Sequence, residues 1–153
     1  MERETRWRPQ PTTGSSEKAT ARQRARSLPF SIPPAEWRAI IMGRPNLLLA
    51  GQQSATDAML LALKPHLARP HWRCREAKRL SLPQPAKGTL ILCEVGALVR
   101  EQQDNLLEWL NHVEEGVQIV STTATPIFRL VEEGTFLANL YYRLNVVRLD
   151  LKA

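Results

Sequence analysis

Three short stretches of this chain are dominated by apolar residues and too brief to be helices. They are Leu47-Leu48-Leu49-Ala50 closed by Gly51, Thr89-Leu90-Ile91-Leu92-Cys93, and Val117-Gln118-Ile119-Val120-Ser121-Thr122. A run of five or six such residues, bounded by Pro or Gly, is the mark of a strand buried on both faces, and such strands belong to parallel sheets covered by helices on either side. Two weaker runs, Trp72 to Glu76 and Asn145 to Leu151, add further strands. Helical stretches fall between them, and that alternation predicts an α/β fold. The expected architecture is a parallel sheet of about five strands flanked by helices, held in residues 29–153.

The helices have their own signals. Pro34-Ala35-Glu36 opens the first, with proline where its missing N–H costs least, and Trp37, Ile40 and Ile41 give it an apolar face. A polar turn after Gly51 is expected to lead into a helix from about Thr56 to Leu67. Its buried stripe would be Ala58, Met59, Leu61 and Ala62, and Pro65 would kink or end it. Leu106, Leu107, Leu110 and Val113 recur at helical spacing over Val99 to His112, and Gly116 stops that helix. Phe128, Leu130, Val131, Phe136, Leu140 and Leu144 mark one or two helices broken at Gly134. Pro83 and Pro85 mark a linker before the 89–93 strand, and no internal repeat is visible.

Charge is unevenly placed. The chain carries a net +6, of which residues 1–28 hold +4, with seven arginines and lysines against three glutamates. That arm has scarcely any apolar content and cannot offset its ordering entropy by burial, so it reads as a disordered basic tail. The same charge offers nucleic acid a contact through counterion release. No apolar run approaches the roughly 20 residues of a membrane helix, and no secretory h-region opens the chain. Cys74 and Cys93 fit neither a disulfide framework nor C-x-x-C metal spacing, so no metal site and a reducing cytoplasm are expected.

Ligands of an open parallel sheet sit beyond the C-terminal ends of its strands. Three such ends carry polar residues: Gly51 to Asp57, Cys93-Glu94, and Thr122 to Thr125. A strand, a glycine turn and a helix is the context of a phosphate-binding loop, G-x-x-x-x-G-K-[ST]. Here the loop would be Gly51, Gln52, Gln53, Ser54, Ala55, Thr56 and Asp57, followed by Ala58. Only its first glycine remains. Thr56 replaces the second glycine, Asp57 the lysine, and Ala58 the magnesium-binding hydroxyl. Two like charges about 4 Å apart repel by roughly 4 kcal/mol at an effective dielectric of 20, so Asp57 both removes an attraction and adds a repulsion. The second strand end should carry two acids, one for magnesium and one to polarise water. Cys93 stands at the first position, where a thiol is a poor ligand for a hard cation, and only Glu94 remains. Cys93 reads as a buried, inert thiol, with a redox centre as the alternative.

From Gly88 onward the sequence resembles the AAA+ domain of bacterial sigma-54-dependent transcriptional activators. The resembling pieces are GTLILCEVGAL (88–98), QDNLLEWL (103–110), VQIVSTTAT (117–125) and VEEGTFLANLYYRLNVVRLDL (131–151), and a looser likeness extends over about 34–63. The resemblance implies a P-loop NTPase (AAA+) core in which Glu94 matches the catalytic Walker B glutamate and Cys93 replaces its aspartate. Ala124 stands in for the sensor asparagine that positions the attacking water. Leu137 replaces the first of two arginines that face a neighbouring subunit's nucleotide, and Arg143 keeps the second, with a structural salt-bridge role as its alternative. The stretch from Gly51 to Gly88 is too short for the family's sigma-gripping loop with its G-A-F-T-G-A motif. Ending at Ala153, the sequence also carries neither the family's helical lid nor a helix-turn-helix.

The resulting expectation is a truncated, degenerate AAA+ module in transcription regulation, a pseudo-ATPase with no confident catalytic residue and with Glu94 and Arg143 as vestiges. Its expected partner is a related AAA+ activator or another copy of itself. No cofactor is expected, and ATP with Mg²⁺ enters only if the degenerate loop still binds it. The alternatives are a weak ATP-binding protein or ATPase of the same family, and a nucleic-acid-binding protein acting through residues 1–28.

Overall fold

A computed structural model describes residues 31–76, 79–84, 87–113 and 116–151. The basic arm at 1–28 and Pro85 of the linker lie outside the described residues. The elements run α1 (Pro34–Gly43), β1 (Leu47–Gly51), α2 (Gln53–Leu63), β2 (His71–Cys74), β3 (Gly88–Leu92), α3 (Arg100–His112), β4 (Val117–Thr123), α4 (Ile127–Glu132), α5 (Ala138–Leu144) and β5 (Val147–Leu151). The five strands form one sheet in the order β2-β3-β4-β1-β5. Every pairing is parallel, with Leu47 opposite both Val120 and Val147, and Leu90 opposite Ile119.

The continuous apolar runs are explained by what covers them. In β1, Leu48 turns to one face while Leu47 and Leu49 turn to the other; in β3, Leu90 and Leu92 oppose Ile91 in the same way. One face packs on Leu106 and Leu110 of α3 and on Leu140 and Leu144 of α5. The other packs on Ile40 of α1 and on Met59, Leu60 and Leu63 of α2. Both faces are covered, so a strand with polar alternation would have buried half its side chains as polar groups in an apolar layer. Cys74 packs with the first cluster and Cys93 with the second, on opposite faces of the sheet, and both are free thiols. Among the described residues, no helix is long and apolar enough to cross a membrane.

The stripe expected on α2 is out of phase. Ala55, Thr56, Met59, Leu60 and Leu63 are buried, whereas Leu61 is 74% exposed and Ala58 and Ala62 are only half-buried. The helix begins at Gln53 rather than Thr56, and the face it turns to the sheet carries Ala55, Thr56, Met59, Leu60 and Leu63. Pro65 acts as expected: α2 ends at Leu63 and passes into a 3₁₀ turn at Lys64–His66. The strand expected over 72–76 is His71–Cys74. On α1 only Ile40 of the expected face is buried.

Gln103 holds the second layer in register. It is 1% exposed, at the first turns of α3, and its amide donates to Leu98 O at 2.9 Å and Thr135 O at 3.0 Å. Its Oε1 accepts the Leu137 N–H at 2.8 Å. One side chain thus satisfies backbone groups of the loops that enter α3 and α5. Replacing it by the near-isosteric leucine strands those groups in a dry place, which costs about 1–3 kcal/mol for each one that finds no water. Gln103→Leu is expected to lower the unfolding free energy by about 2–3 kcal/mol in urea denaturation followed by circular dichroism; a loss below about 0.5 kcal/mol would refute this role.

Candidate functional site

The strand ends singled out in the sequence do converge. Beyond the C-terminal ends of β1, β3 and β4 lies a cleft of about 430 Å³ lined by Gln53, Thr56, Asp57, Cys93, Glu94 and Thr122, with Arg73 and Arg75 on its outer wall. Among the described residues, no group of three or more His, Cys, Asp or Glu is placed to hold a metal ion.

The corner after β1 differs from the expected polar turn. β1 ends at Gly51 and α2 starts at Gln53, leaving Gln52 as the single residue between them. The N–H groups of Ala55 and Thr56 both donate to Gln52 O at 3.0 Å, so from Ala55 onward the backbone donors belong to the helix. Thr56 is buried and its hydroxyl donates to Gln53 O at 3.1 Å; Ala55 points into the core; Ser54 is exposed. The stretch expected to be a loop is therefore mostly the first turn and a half of α2. Gly51 has a packing reason of its own. A Cβ there would lie 2.6 Å from Leu151 O and 3.1 Å from Leu151 Cβ, so the glycine lets β1 and β5 close together.

Asp57, at the lysine position, pairs with Arg73 of β2 at 3.3 Å. With the two side chains 49% and 36% exposed, this pair is worth little in stability, but it sets charge against charge across the cleft mouth. Glu94 sits at φ 54°, in the left-handed region, immediately after β3. Its N–H donates to Thr122 Oγ1 at 3.1 Å, and its Oε2 accepts the Ala124 N–H at 3.2 Å. The acid thus clasps the end of β4 at the backbone of Ala124. The next turn is closed by Thr123 Oγ1, which donates to Thr125 O at 2.7 Å.

Arg143 is not part of this cleft. Its Nη1 donates to Asn111 Oδ1 at 2.8 Å and its Nη2 to Leu110 O at 2.9 Å, so it caps the carboxyl end of α3. Its carbonyl accepts Asn46 Nδ2 at 3.0 Å, next to the start of β1 and therefore at the opposite end of the sheet from Glu94. Within this chain Arg143 makes hydrogen bonds to an amide and a carbonyl rather than a salt bridge. Arg73 and Arg75 were absent from the candidate residues. Their signal was the alternation of arginine with Trp72 and Cys74 in the least distinct of the five strands.

Residues 62–153 match the family described as Sigma-54 interaction domain. The chain belongs to this family. The HTH-type transcriptional regulatory protein TyrR of Enterobacter agglomerans is 31% identical over 97 residues, which are 56% of this chain and 19% of TyrR. TyrR of Salmonella typhimurium is 31% identical over 87 residues, covering 50% and 17%. The chain therefore spans less than a fifth of the length of these curated relatives. Among solved structures, NtrX from Brucella abortus in complex with ADP superposes with a TM-score of 0.61 at 20% identity, over 91% of this chain and 41% of that one. The P-loop NTPase domain of the sigma-54 transport activator from E. coli superposes with a TM-score of 0.52 at 19% identity, over 80% of this chain and 99% of that one. These likenesses establish the P-loop NTPase fold. The family match begins at Ala62, past the corner between β1 and α2.

Two substitutions test these assignments. Gly51→Ala forces β1 from β5 and is expected to cost about 1–3 kcal/mol in thermal or urea unfolding; a neutral result would free Gly51 from its packing role. Arg143→Ala removes the cap on α3 and is expected to cost about 1–2 kcal/mol. Unchanged stability would return Arg143 to the list of residues held for another purpose.

Proposed function

We propose that this member of the sigma-54 interaction family is a non-catalytic regulatory or interaction module in transcription regulation, working through a related AAA+ activator or another copy of itself. The observation that carries the reading is the β1–α2 corner, where helix begins one residue after Gly51. A phosphate cradle needs several consecutive N–H groups turned inward and a cation above them. Here Ala55 and Thr56 give their N–H groups to Gln52 O, and the position above them holds the Asp57 carboxylate. These residues do not fit a magnesium triphosphate. Cys93 offers a thiol where a hard cation needs oxygen, and Glu94 is engaged with the Ala124 N–H. The same damage at three strand ends supports a loss of ATP chemistry that no single reversion repairs.

Its place of action on this reading is the cytoplasm, with the transcription machinery. The family membership supports a role in regulation, and the intact sheet and two-sided core support a folded scaffold that partners can recognise.

Isothermal titration of the full chain with Mg-ATP is expected to give no saturable heat at micromolar protein, and Asp57→Lys is expected to leave both binding and phosphate release at background. Micromolar binding by the parent chain would overturn the reading of the corner. Turnover in Asp57→Lys would show that one charge had silenced an otherwise working site. Mixing the chain with a full-length activator of the same family should change that activator's assembly state or ATPase rate; no effect on any such activator tested would count against the modulator role.

A further inference from the structure

We propose that the groove along β2 lined by Arg73, Arg75 and Arg79 is a docking surface for the phosphate backbone of nucleic acid. Residues 69–87 hold Arg69, Arg73, Arg75, Lys78, Arg79 and Lys87 against Glu76 alone, a net +5, while the rest of residues 29–153 sum to −3. Charge along residues 29–153 is therefore unevenly placed, and Arg73, Arg75 and Arg79 of this segment line one groove at the edge of the sheet. β2 is an edge strand, paired only with β3. Trp72 and Cys74 turn one of its faces to the core, and Arg73 lies exposed between them.

The surface is also concave. A groove of about 770 Å³ runs along β2 and the connection after it, and Arg73 and Arg75 line both this groove and the cleft beyond β3. The two depressions thus meet at a pair of arginines two residues apart. β2 with its flanks extends roughly 20 Å at about 3.3 Å per residue, a length over which one strand of a duplex passes about six phosphates. Glu76 holds Arg79 weakly. Arg79–Glu76 is 3.8 Å long with the side chains 86% and 69% exposed. Exposed pairs of this kind exchange readily for a phosphate, which the planar guanidinium fits in bidentate fashion.

A charged edge also discourages strand-to-strand aggregation, and one or two charges on β2 itself would serve that end. The positive charge instead continues into the connection, past the strand. An extended polyanion is favoured over an acidic peptide because residues 1–28 add another +4 in the same chain. A repeating phosphate backbone engages both basic segments, whereas a short acidic peptide engages one.

The test uses the full chain and fluorescence anisotropy with labelled mixed-sequence 20-nucleotide DNA, single-stranded and duplex, across a salt series. Binding is expected to weaken linearly in a double-logarithmic plot. Arg75→Glu with Arg79→Glu is expected to lower affinity about tenfold or more at ~0.1 M salt and to reduce the slope by about 2, one per lost phosphate contact. Should that pair disturb folding by circular dichroism, Arg75→Gln with Arg79→Gln is expected to give the same reduction in slope. A parallel variant, Arg22→Gln with Arg24→Gln and Arg26→Gln, separates the arm from the edge and should leave measurable binding. The proposal is overturned if no DNA binds, if the β2-edge variants bind as the parent does, or if the arm variant abolishes binding. Poly-glutamate displacing DNA at equal charge concentration would assign the surface to an acidic peptide and overturn it as well.

Discussion

All seven residues of β4 are buried, and the other strands take their places by reference to it. It pairs with β3 on one side and β1 on the other, so its register fixes where each of those strands ends. Along its length the side chains change from apolar to polar: Val117, Ile119 and Val120 serve the two cores, and Ser121, Thr122 and Thr123 finish the strand as buried hydroxyls. A buried hydroxyl without a partner costs free energy, so the loops around this end are drawn in to supply partners. Thr122 accepts the Glu94 N–H and Thr123 closes on Thr125, which holds the ends of β3 and β4 in one rigid group. Gln118 donates to Pro45 O at 2.7 Å, and Ile119 N–H donates to Asn46 Oδ1 at 2.9 Å, tying the entry to β1 to the same strand. Ser121 Oγ and Gln118 Oε1 find no partner among the described residues, and nothing in the structure explains them.

The two ends of the sheet then divide the labour. At the amino ends, Asn46 joins β4 to the carbonyl of Arg143, whose guanidinium reaches across to the last turn of α3. At the carboxyl ends, Glu94 joins β3 to β4 and Asp57 joins α2 to β2. Gln103 links the layers between them. Most of the named polar contacts therefore brace one strand or helix end against the next, and the hydrophobic faces supply the bulk of the burial.

Much of this was legible in the sequence because burial on both faces writes itself as continuous hydrophobicity. β1, β3 and β4 are recognisable from five to seven residues each, and α3 from the spacing of Leu106 and Leu110. The phase of α2 was not legible, because Leu60 and Leu61 are equally apolar and only the packing of the helix on the sheet decides which one meets the core. Gln103 was hidden for a related reason: a polar residue on an amphipathic helix reads as solvent-facing unless the carbonyls it serves are known. At the strand ends the residue types were readable but their partners were not. That Asp57 would find Arg73, and Arg143 would find Leu110 O, depends on contacts 16 and 33 residues apart. The basic edge was hidden in the opposite way, since charge was weighed by its total over residues 29–153 and the acidic remainder masked it.

The pattern of partners at the carboxyl ends bears on what the replaced residues now do. In a nucleotide site, polar groups are held in readiness, their donors and acceptors turned to the place of the ligand. Here three polar groups of the corner are answered from within the fold. The Asp57 carboxylate has Arg73, the Glu94 carboxylate has the backbone of Ala124, and the hydroxyl of Thr56 has the carbonyl of Gln53. A group satisfied by its own fold gains little from a ligand, because each new contact must first break an existing one. Random loss would tend to leave stranded charges and unfilled space at this corner, and such groups would destabilise the sheet that carries them. The pairing seen instead leaves none of these three groups stranded beyond the ends of β1, β3 and β4. The polar groups of this corner thus hold α2 to β2 and β3 to β4.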